Sequence, residues 1–275
     1  MRTPALAPEP DAAVSQVAHL PSLRGRVCGD WRVVELVGCG GTAEVWRAVG
    51  RGHEVALKLT RPELRSRPGA ALVLHRELEL LQALRNPYLV TPLTIVDCGG
   101  TPGLALEYLP GGDLVPLLGA PREQWLPALR SVAAALRALH DSGIAHGDVK
   151  ARNVLFAADG GVRLIDLTTA RPLLSPAVEA TAAYRAPSPA TAGEADGFAL
   201  AALLYELLAG RLPYGPGGAS ALGASPAAVA VSGAESVNLE AVNLLTAATD
   251  VLRAGGRPPY GLSYLADVIE SVGSA

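Results

Sequence analysis

The spacing of apolar residues changes part-way along this chain. Residues 31–49 and 53–60 carry the short alternating runs typical of β-strands, with a glycine-rich turn inside the first segment. Residues 122–143 and 198–210 instead have the long apolar patterns typical of helices. Strands followed by helices predict an α+β chain, in which a small β-rich lobe with one helix over residues 70–85 precedes a larger helical lobe.

The same patterns predict how the chain is divided. Residues 1–25 are rich in proline and alanine, and we expect a flexible tail there. We expect the β-rich lobe to cover residues 26–109 and the helical lobe residues 110–275, with a cleft between them and a hinge near residues 107–113. Residues 213–235 are mostly Gly, Ala, Ser and Pro, which predicts weak structure.

Composition argues against several classes of protein. Hydrophobic residues make up 49% and charged residues 18% of the chain, which favours a folded protein. A net charge of -3 without a basic stripe argues against a nucleic-acid partner. No apolar segment is long enough for a signal peptide or a membrane span. The distant cysteines Cys28, Cys39 and Cys98 predict reduced thiols and a cytoplasmic location.

Lysine is rare in this chain. Only Lys58 and Lys150 are lysines among the 23 basic residues. A lysine ammonium is a compact point charge, whereas an arginine guanidinium is a wide planar fork. The retention of lysine against a strong preference for arginine therefore indicates two sites where arginine cannot substitute.

A glycine-rich hairpin precedes the first of these lysines. Gly38 to Val45 lie between two predicted strands, where glycines let backbone N–H groups approach phosphates, although most such hairpins are only turns. Lys58 lies on the next predicted strand, and Glu77 lies on a mostly apolar face of the predicted helix. Because a buried carboxylate is costly unless it is paired, we expect Lys58 to be the partner of Glu77.

The second lysine lies in a polar loop that runs from His146 to Asn153. Asp148, Lys150 and Asn153 can converge from this loop, and Asp166 follows at the end of an apolar run. Aspartate and asparagine oxygens are ligands that Mg²⁺ uses together with phosphates. A carboxylate such as that of Asp148 can accept the proton of a hydroxyl. The pattern indicates a phosphate- and metal-dependent site.

Taken in order, these motifs resemble the eukaryotic-type (Hanks-type) serine/threonine protein kinase family of bacteria, over residues 29–272. The resemblance implies a two-lobed protein-kinase-like fold and transfer of the γ-phosphate of ATP to Ser or Thr hydroxyls of a protein substrate, with Mg²⁺ or Mn²⁺. Six polar residues take their roles from the resemblance: Asp148, Lys150, Lys58 and Glu77 in catalysis, and Asn153 and Asp166 in metal binding.

The resemblance also implies a set of nucleotide-binding residues in the glycine-rich loop, the strands around Lys58, the hinge and the helical lobe. They are Val37, Gly38, Gly40, Gly41, Val45, Ala56, Lys58, Leu106, Glu107, Leu109, Asp113 and Leu155. Ser175 and Thr181 are candidate autophosphorylation sites. We expect His146 and Asp196 to support the catalytic loop rather than to take part in the chemistry.

The chain departs from the family pattern at four places. Ala43 replaces the third loop glycine, Gly147 replaces the arginine before the catalytic aspartate, and Ser188 replaces the glutamate near the end of the activation segment. Leu167 and Thr168 replace the usual Phe and Gly. Because that arginine binds a phosphorylated activation segment in the family, its loss predicts activation without phosphorylation of the segment. Threonine in place of glycine predicts a stiff segment.

Two other functions are compatible with these residues. The departures at Gly147, at Leu167 and Thr168, and at Ser188 also suit a pseudokinase that binds or regulates a partner protein with weak or no catalysis. A small-molecule hydroxyl kinase of related fold can also carry the His-Gly-Asp triplet, although Lys150 and residues 180–188 favour a protein kinase. Neither alternative implies a membrane partner, and the sequence does not specify an oligomeric state.

Overall fold

The computed structural model describes residues 23–65, 67, 69–178, 181–187, 190–219 and 239–272. These residues form two compact units. Unit 1 contains the described residues up to Leu78 together with Pro92–Tyr108, and unit 2 contains Glu79–Thr91 and the described residues from Leu109 onward. Ser188 and most of the segment 213–235, for which weak structure was predicted, lie outside the described residues.

Unit 1 is built around an antiparallel sheet of six strands that pair in the order β1-β2-β3-β4-β6-β5. The strands are β1 (Val27–Cys28), β2 (Trp31–Cys39), β3 (Ala43–Gly50), β4 (His53–Thr60), β5 (Pro92–Asp97) and β6 (Pro102–Glu107). Because side chains alternate along a strand, Leu57 and Leu59 face the buried core of the unit with Trp46, whereas Lys58 points to the opposite face.

The core of unit 1 contains a disulfide between Cys28 and Cys98, whose Cα atoms are 4.4 Å apart. The expectation of three reduced thiols was therefore wrong for this pair, while Cys39 is free. Cys28 lies in β1 and Cys98 directly follows β5, which are the two outermost strands of the sheet. Their approach shows that the sheet curls until its ends meet. Sequence separation alone gave no sign of this closure.

Helix α1 (Ala70–Leu84) follows β4, as its sequence spacing predicts. Its buried positions are Leu74, Glu77 and Leu81, which recur at intervals of three and four residues and so share one face. Val73, on the same helix, is 41% exposed. Glu77 is therefore the one acidic side chain of the helix that is directed into a buried environment.

Unit 2 is mostly helical among its described residues. Its helices are α2 (Arg122–Asp141), α3 (Ala192–Ala209), α4 (Leu239–Ala254) and α5 (Leu262–Ser271). Helix α3 packs against all three of the others and is buried on nearly every side, which explains why most of its residues are apolar. In the described part of the chain, no helix has both the length and the apolarity required to cross a bilayer.

Helix α3 begins at Ala192, six residues before the start that its apolar run predicts. Thr191 caps the helix through its side chain, which accepts a hydrogen bond from the backbone N–H of Glu194, and the Glu194 carboxylate accepts one from the backbone N–H of Thr191. This capping box is readable in the sequence as Thr-x-x-Glu. The helix ends at Gly210, whose left-handed φ of 66° suits a glycine.

Short strands position the polar loop of unit 2. Strand β7 (Ile144–Ala145) pairs with β10 (Arg171–Pro172), and β8 (Val154–Phe156) pairs with β9 (Val162–Leu164), both antiparallel. Residues 146–153 connect β7 to β8, and residues 165–170 connect β9 to β10. The two pairings therefore bring these two connections side by side. A β-rich first unit and a helical second unit confirm the predicted α+β fold class.

Candidate active site

In unit 1 the Lys58 ammonium contacts both oxygens of the Glu77 carboxylate, at 2.8 Å from Oε1 and 2.6 Å from Oε2. The Lys58 side chain is 7% exposed and that of Glu77 is fully buried. The predicted pairing of these two residues is therefore confirmed. An ion pair in this environment offsets much of the cost of taking two charges out of water and fixes the direction of the lysine.

The register of the sheet places four of the predicted nucleotide-binding residues on one face. Val45 lies opposite Lys58, and Ala56 lies opposite Leu106. Because directly opposite residues and residues two apart share a face, these four side chains line the same side of the sheet. The Lys58 ammonium can bind a phosphate group, and the three apolar side chains beside it can contact a flat ring attached to that phosphate.

The glycine-rich hairpin connects β2 to β3. The backbone N–H of Gly40 donates to the carbonyl of Ala43 at 2.8 Å, which closes the turn. Gly40 and Gly41 are exposed, and a Cβ added at Gly41 would meet nothing within 4 Å. The packing of unit 1 therefore does not require glycine at Gly41, whereas close approach of a ligand to the backbone would. Val37 and Gly38 lie near the end of β2, where Val37 is 45% exposed.

The remaining predicted nucleotide-binding residues are divided between the units. Glu107 ends β6 in unit 1, and Leu109 begins the second segment of unit 2. In unit 2, Asp113 forms an antiparallel bridge with Leu155, so these two residues are neighbours. The Asp113 carboxylate accepts a hydrogen bond from the N–H of Val115 at 3.1 Å, which holds it at the start of the following turn.

The polar loop of unit 2, together with Thr181, places three side chains around the carboxylate of Asp148. Lys150 Nζ donates to Asp148 Oδ2 at 2.7 Å, and the Thr181 hydroxyl donates to Oδ1 at 2.9 Å. Lys150 Nζ also donates to the Thr181 hydroxyl at 2.9 Å. Asn153 Nδ2 donates to the backbone carbonyl of Asp148 at 2.8 Å and to Oδ2 at 3.1 Å. The predicted convergence of Asp148, Lys150 and Asn153 is present, and Thr181 joins it.

The electrostatics of this cluster keep Asp148 ionised. Partial burial of the carboxyl opposes its ionisation, but the hydrogen bond and positive charge of Lys150, together with the hydroxyl and backbone N–H of Thr181, outweigh that effect. The pKa of Asp148 consequently lies below its usual value. At neutral pH the group is an anionic hydrogen-bond acceptor directed at a hydroxyl.

Asp196, near the start of α3, holds the backbone of the loop. Its Oδ2 accepts from the N–H of His146 at 2.7 Å, and its Oδ1 accepts from the N–H of Gly147 at 2.8 Å. His140 Nε2 lies 2.9 Å from the same Oδ2. This buried carboxylate therefore fixes the two peptide units that precede Asp148. These contacts agree with the expectation that Asp196 supports the catalytic loop.

His146 is fully buried, and both of its ring nitrogens have backbone partners. The N–H of Asp148 donates to Nδ1 at 3.2 Å, which requires Nδ1 to be unprotonated, and Nε2 then donates to the carbonyl of Ile165 at 3.0 Å. Nδ1 thus orders residues 146–148 within their own connection, and Nε2 holds that connection to residues 165–170. These contacts agree with the expectation that His146 supports the catalytic loop rather than taking part in the chemistry.

Asn153 and Asp166 lie at the same end of the β8–β9 hairpin. The N–H of Ile165 donates to the carbonyl of Asn153 at 2.9 Å, and Val154 lies opposite Leu164. Two neighbouring oxygen-bearing side chains fit a hard divalent cation whose other ligands are phosphate oxygens or water. Within the described residues, no cluster of three or more His, Cys, Asp and Glu side chains could hold a metal by itself.

The residues around Asp166 refine what the sequence predicts for the activation segment. Asp166 itself adopts the left-handed conformation, with φ 71° and ψ 76°, and its side chain accepts from the N–H of Thr168. Thr168 has no positive φ, so its β-branched side chain meets no backbone strain in this conformation. Leu167 is 2% exposed and fills the apolar position that the sequence predicts for it.

The two candidate autophosphorylation residues occupy different environments. The Ser175 hydroxyl donates to the carbonyl of Pro172 at 2.6 Å within a surface turn. Thr181 already contacts the Asp148 carboxylate. Sequence reasoning missed a further buried pair, in which the Tyr184 hydroxyl donates to the Glu206 carboxylate of α3. Its signal was Glu206 within an otherwise apolar helix.

Comparison with known proteins places these contacts in a family. Residues 31–229 match the model of the protein kinase domain. The chain is 31% identical to the serine/threonine-protein kinase pkn2 of Myxococcus xanthus over 208 aligned positions, and the match covers 68% of this chain and 25% of that protein. It is 32% identical to PknB of Mycolicibacterium smegmatis over 222 aligned positions, and the match covers 71% of this chain and 34% of that protein.

The chain thus spans about a quarter to a third of the length of these curated relatives. The family match covers more than half of the chain, including the glycine-rich hairpin, both lysines and the loop from His146 to Asn153. Members of the family use ATP and a divalent metal ion. The chain therefore belongs to the protein kinase domain family, and the resemblance to bacterial serine/threonine kinases that its motifs indicate is confirmed.

Proposed function

We propose that this domain is an ATP-dependent serine/threonine protein kinase that transfers the γ-phosphate of ATP to a Ser or Thr hydroxyl. The observation that carries the proposal is the threonine hydroxyl that donates to Asp148 Oδ1 while accepting from Lys150 Nζ. An acceptor hydroxyl of a substrate needs the same two partners, one for its proton and one for the charge of the incoming phosphoryl group. Thr181 therefore supports the fit of an aliphatic hydroxyl to this pair.

The proposed step is an in-line displacement at the γ-phosphorus. A bond forms between the acceptor oxygen and phosphorus, the bond to the β-phosphate oxygen breaks, and ADP leaves with the electron pair. Asp148 accepts the proton of the hydroxyl, for which its lowered pKa keeps the carboxylate ionised. The Lys150 ammonium offsets the negative charge that the γ-phosphoryl oxygens carry during transfer.

The remaining predicted residues would bind the nucleotide and the metal. We assign Lys58, held by Glu77, to the α- and β-phosphates and the glycine-rich loop to their oxygens. Asn153 and Asp166 would hold Mg²⁺, or Mn²⁺, which neutralises phosphate charge when bound. The apolar contacts to adenine are assigned to Val37, Val45, Ala56, Leu106 and Leu155, the adenine hydrogen bonds to the backbone of Glu107 and Leu109, and the ribose contact to Asp113.

We also propose that the substrate is a protein and that the domain acts in the cytoplasm, where ATP is abundant. The support is the similarity to bacterial serine/threonine kinases and the lysine two residues after Asp148. A substrate pair such as casein and an aminoglycoside would separate a protein kinase from a small-molecule hydroxyl kinase. Transfer to the aminoglycoside alone would replace the proposal with that second class.

The proposal is tested with purified protein, γ-labelled ATP and Mg²⁺. We expect label on the protein itself or on casein, and loss of transfer by about a hundredfold or more in Asp166→Ala, because the metal site loses a ligand. Asp97→Ala, which removes an exposed carboxylate that accepts from Gly100 N–H, is the matched control. Phosphate found on Ser175 or Thr181 by mass spectrometry would locate autophosphorylation. Equal transfer by the wild type and Asp166→Ala would contradict the proposal.

One observation favours a pseudokinase as the second candidate. The Thr181 hydroxyl already engages both Asp148 and Lys150, so a substrate hydroxyl must displace it. If that displacement fails, the domain binds nucleotide without turnover. A thermal shift with ATP and Mg²⁺ that is not accompanied by any labelled product would identify this case.

A further inference from the structure

Gly147, directly before Asp148, has no side chain, and another part of the chain occupies the space where one would lie. Its φ is +86°, in the left-handed region that favours glycine. A Cβ added there would lie 3.0 Å from the backbone oxygen of Thr169 and 3.2 Å from its hydroxyl. The absence of a side chain at residue 147 therefore allows Thr169 to lie against the loop. The two residues are complementary in shape.

Thr169 makes a hydrogen bond that depends on this close approach. Its hydroxyl donates to the carbonyl of His146 at 2.9 Å. The N–H of His146 donates to Asp196 on its other side. Residue 146 is thus held at its N–H by a carboxylate of α3 and at its carbonyl by a hydroxyl of the segment 165–170. The reacting carboxylate of Asp148 lies only two residues further along the chain.

The segment that carries Thr169 is itself anchored by neutral hydrogen bonds and by Arg171. Arg171 Nε donates to the carbonyl of Thr169 at 3.2 Å, and Arg171 Nη1 donates to the carbonyl of Pro176 at 3.4 Å. Arg171 and Pro172 form β10, which pairs with β7 immediately before His146. The described part of this segment is therefore attached to the loop at both the strand and Thr169, through groups that require no phosphate.

We propose that Thr169 is a positioning residue for phosphoryl transfer, which fixes the peptide between His146 and Gly147 and thereby the place of the Asp148 carboxylate. Gly147 is the residue that makes room for it. The proposal rests on the kinase function proposed above and goes beyond it, because it names a contact that orders the loop without segment phosphorylation. A displacement of a reacting group by a fraction of an ångström is enough to reduce the rate.

The test compares Thr169→Val with Thr169→Ser. Valine keeps the shape and removes the hydroxyl, so kcat should fall about five- to tenfold, the effect of one partly buried hydrogen bond, with KM for ATP changed less than about twofold. Serine keeps the hydroxyl and should restore kcat to within about twofold. Thr249→Val is the matched control, because its hydroxyl also donates to a backbone carbonyl, Leu245, but within helix α4.

A second readout does not depend on activity. Amide hydrogen exchange at Gly147 and Asp148 should accelerate about fivefold in Thr169→Val and stay unchanged in Thr169→Ser and Thr249→Val. If the wild type transfers no phosphate, the proposed function fails while exchange still tests the contact. If the wild type is active and Thr169→Val matches it in kcat and in exchange, the function stands and the positioning role of Thr169 is overturned.

Two further variants test the link to phosphorylation. Gly147→Ala should lower kcat at least as much as Thr169→Val, since its methyl group would press on the Thr169 carbonyl. Wild-type protein treated with a phosphatase should keep its kcat within about twofold. A wild-type kcat that collapses after phosphatase treatment, or a Gly147→Arg variant with a higher kcat than the wild type, would contradict the proposal.

Discussion

Lys58 in unit 1 and Asp148 in unit 2 are held in very different ways. Lys58 forms an ion pair with Glu77, whose side chain is fully buried. Asp148 has three polar side chains around it, and the backbone before it is fixed by Asp196 and Thr169. The first arrangement contains a buried ion pair, whereas the second is a partly exposed network of several hydrogen bonds.

This difference predicts how each group fails. Removing one member of a buried ion pair leaves the other charge in a low-dielectric environment, which is costly. Removing one hydrogen bond from a partly exposed network costs much less, because neighbouring donors and water take over part of its contribution. A mutation near Lys58 should therefore lower the stability of unit 1, while a mutation near Asp148 should change its ionisation and activity more than its stability.

The largest effect on stability is expected from Lys58→Met. The substitution keeps the length of the side chain and leaves the buried Glu77 carboxylate without its lysine, which should lower the free energy of unfolding by about 3–5 kcal/mol. The double variant Lys58→Met/Glu77→Leu should recover most of that loss, yet bind no nucleotide. Urea denaturation followed by circular dichroism measures both. A double variant as unstable as Lys58→Met would show that the unpaired Glu77 carboxylate is not the cause of the lost stability.

The disulfide between Cys28 and Cys98 also stabilises unit 1. Cys28 and Cys98 close a loop with a sequence separation of 70, which contains the glycine-rich hairpin, Lys58 and Glu77. Reduction should lower the stability of unit 1 by about 2–4 kcal/mol, because the unfolded chain gains freedom. Thermal unfolding of the wild type should respond to reductant, and Cys28→Ala/Cys98→Ala should not. Cys39→Ala, which removes the free thiol, should behave as the wild type, and the opposite result would refute a structural disulfide.

The smallest stability effect is expected from Thr181→Val in unit 2. Loss of one hydrogen bond should cost about 0.5–1.5 kcal/mol at neutral pH. The pKa of Asp148 should rise in the variant, since the Thr181 hydroxyl helps to lower it. A depressed native pKa stabilises the fold above the unfolded pKa of about 3.9, and that contribution is lost as pH falls through the native value.

The stability difference between Thr181→Val and the wild type should consequently shrink below about pH 4. Denaturant titrations at pH 7 and at pH 3 give this comparison directly. A difference that stays constant over that range would mean that the Thr181 hydroxyl acts through packing and not through the ionised Asp148.

Much of the fold could be predicted because its elements have local signals. The strands around the glycine-rich hairpin, helix α1 and helix α2 follow from apolar spacing, and the pairing of Lys58 with Glu77 follows from the cost of a buried charge. The early start of α3 was missed although the capping residues Thr191 and Glu194 are visible in the sequence. In that case the apolar run was given more weight than the cap.

The contacts that were missed depend on tertiary structure. The approach of Cys28 to Cys98 depends on the curl of the whole sheet, which no local pattern reports. The Thr169 contact arises because β10 returns to pair with β7, and only the glycine at residue 147 hinted that something fills the space beside it. Thr181 was predicted as a candidate autophosphorylation site, but its contact with Asp148 depends on the path of the activation segment, which no local pattern reports.

The most direct test of the central claim is the rate of phosphoryl transfer by Asp148→Asn. Asparagine keeps the shape of the side chain but cannot accept the hydroxyl proton, so kcat for transfer to a serine peptide should fall about 10²–10⁴-fold, with ATP still bound. Asp159→Asn, in the exposed turn between β8 and β9, is the matched control and should transfer at the wild-type rate. Transfer by Asp148→Asn at the wild-type rate would contradict the account.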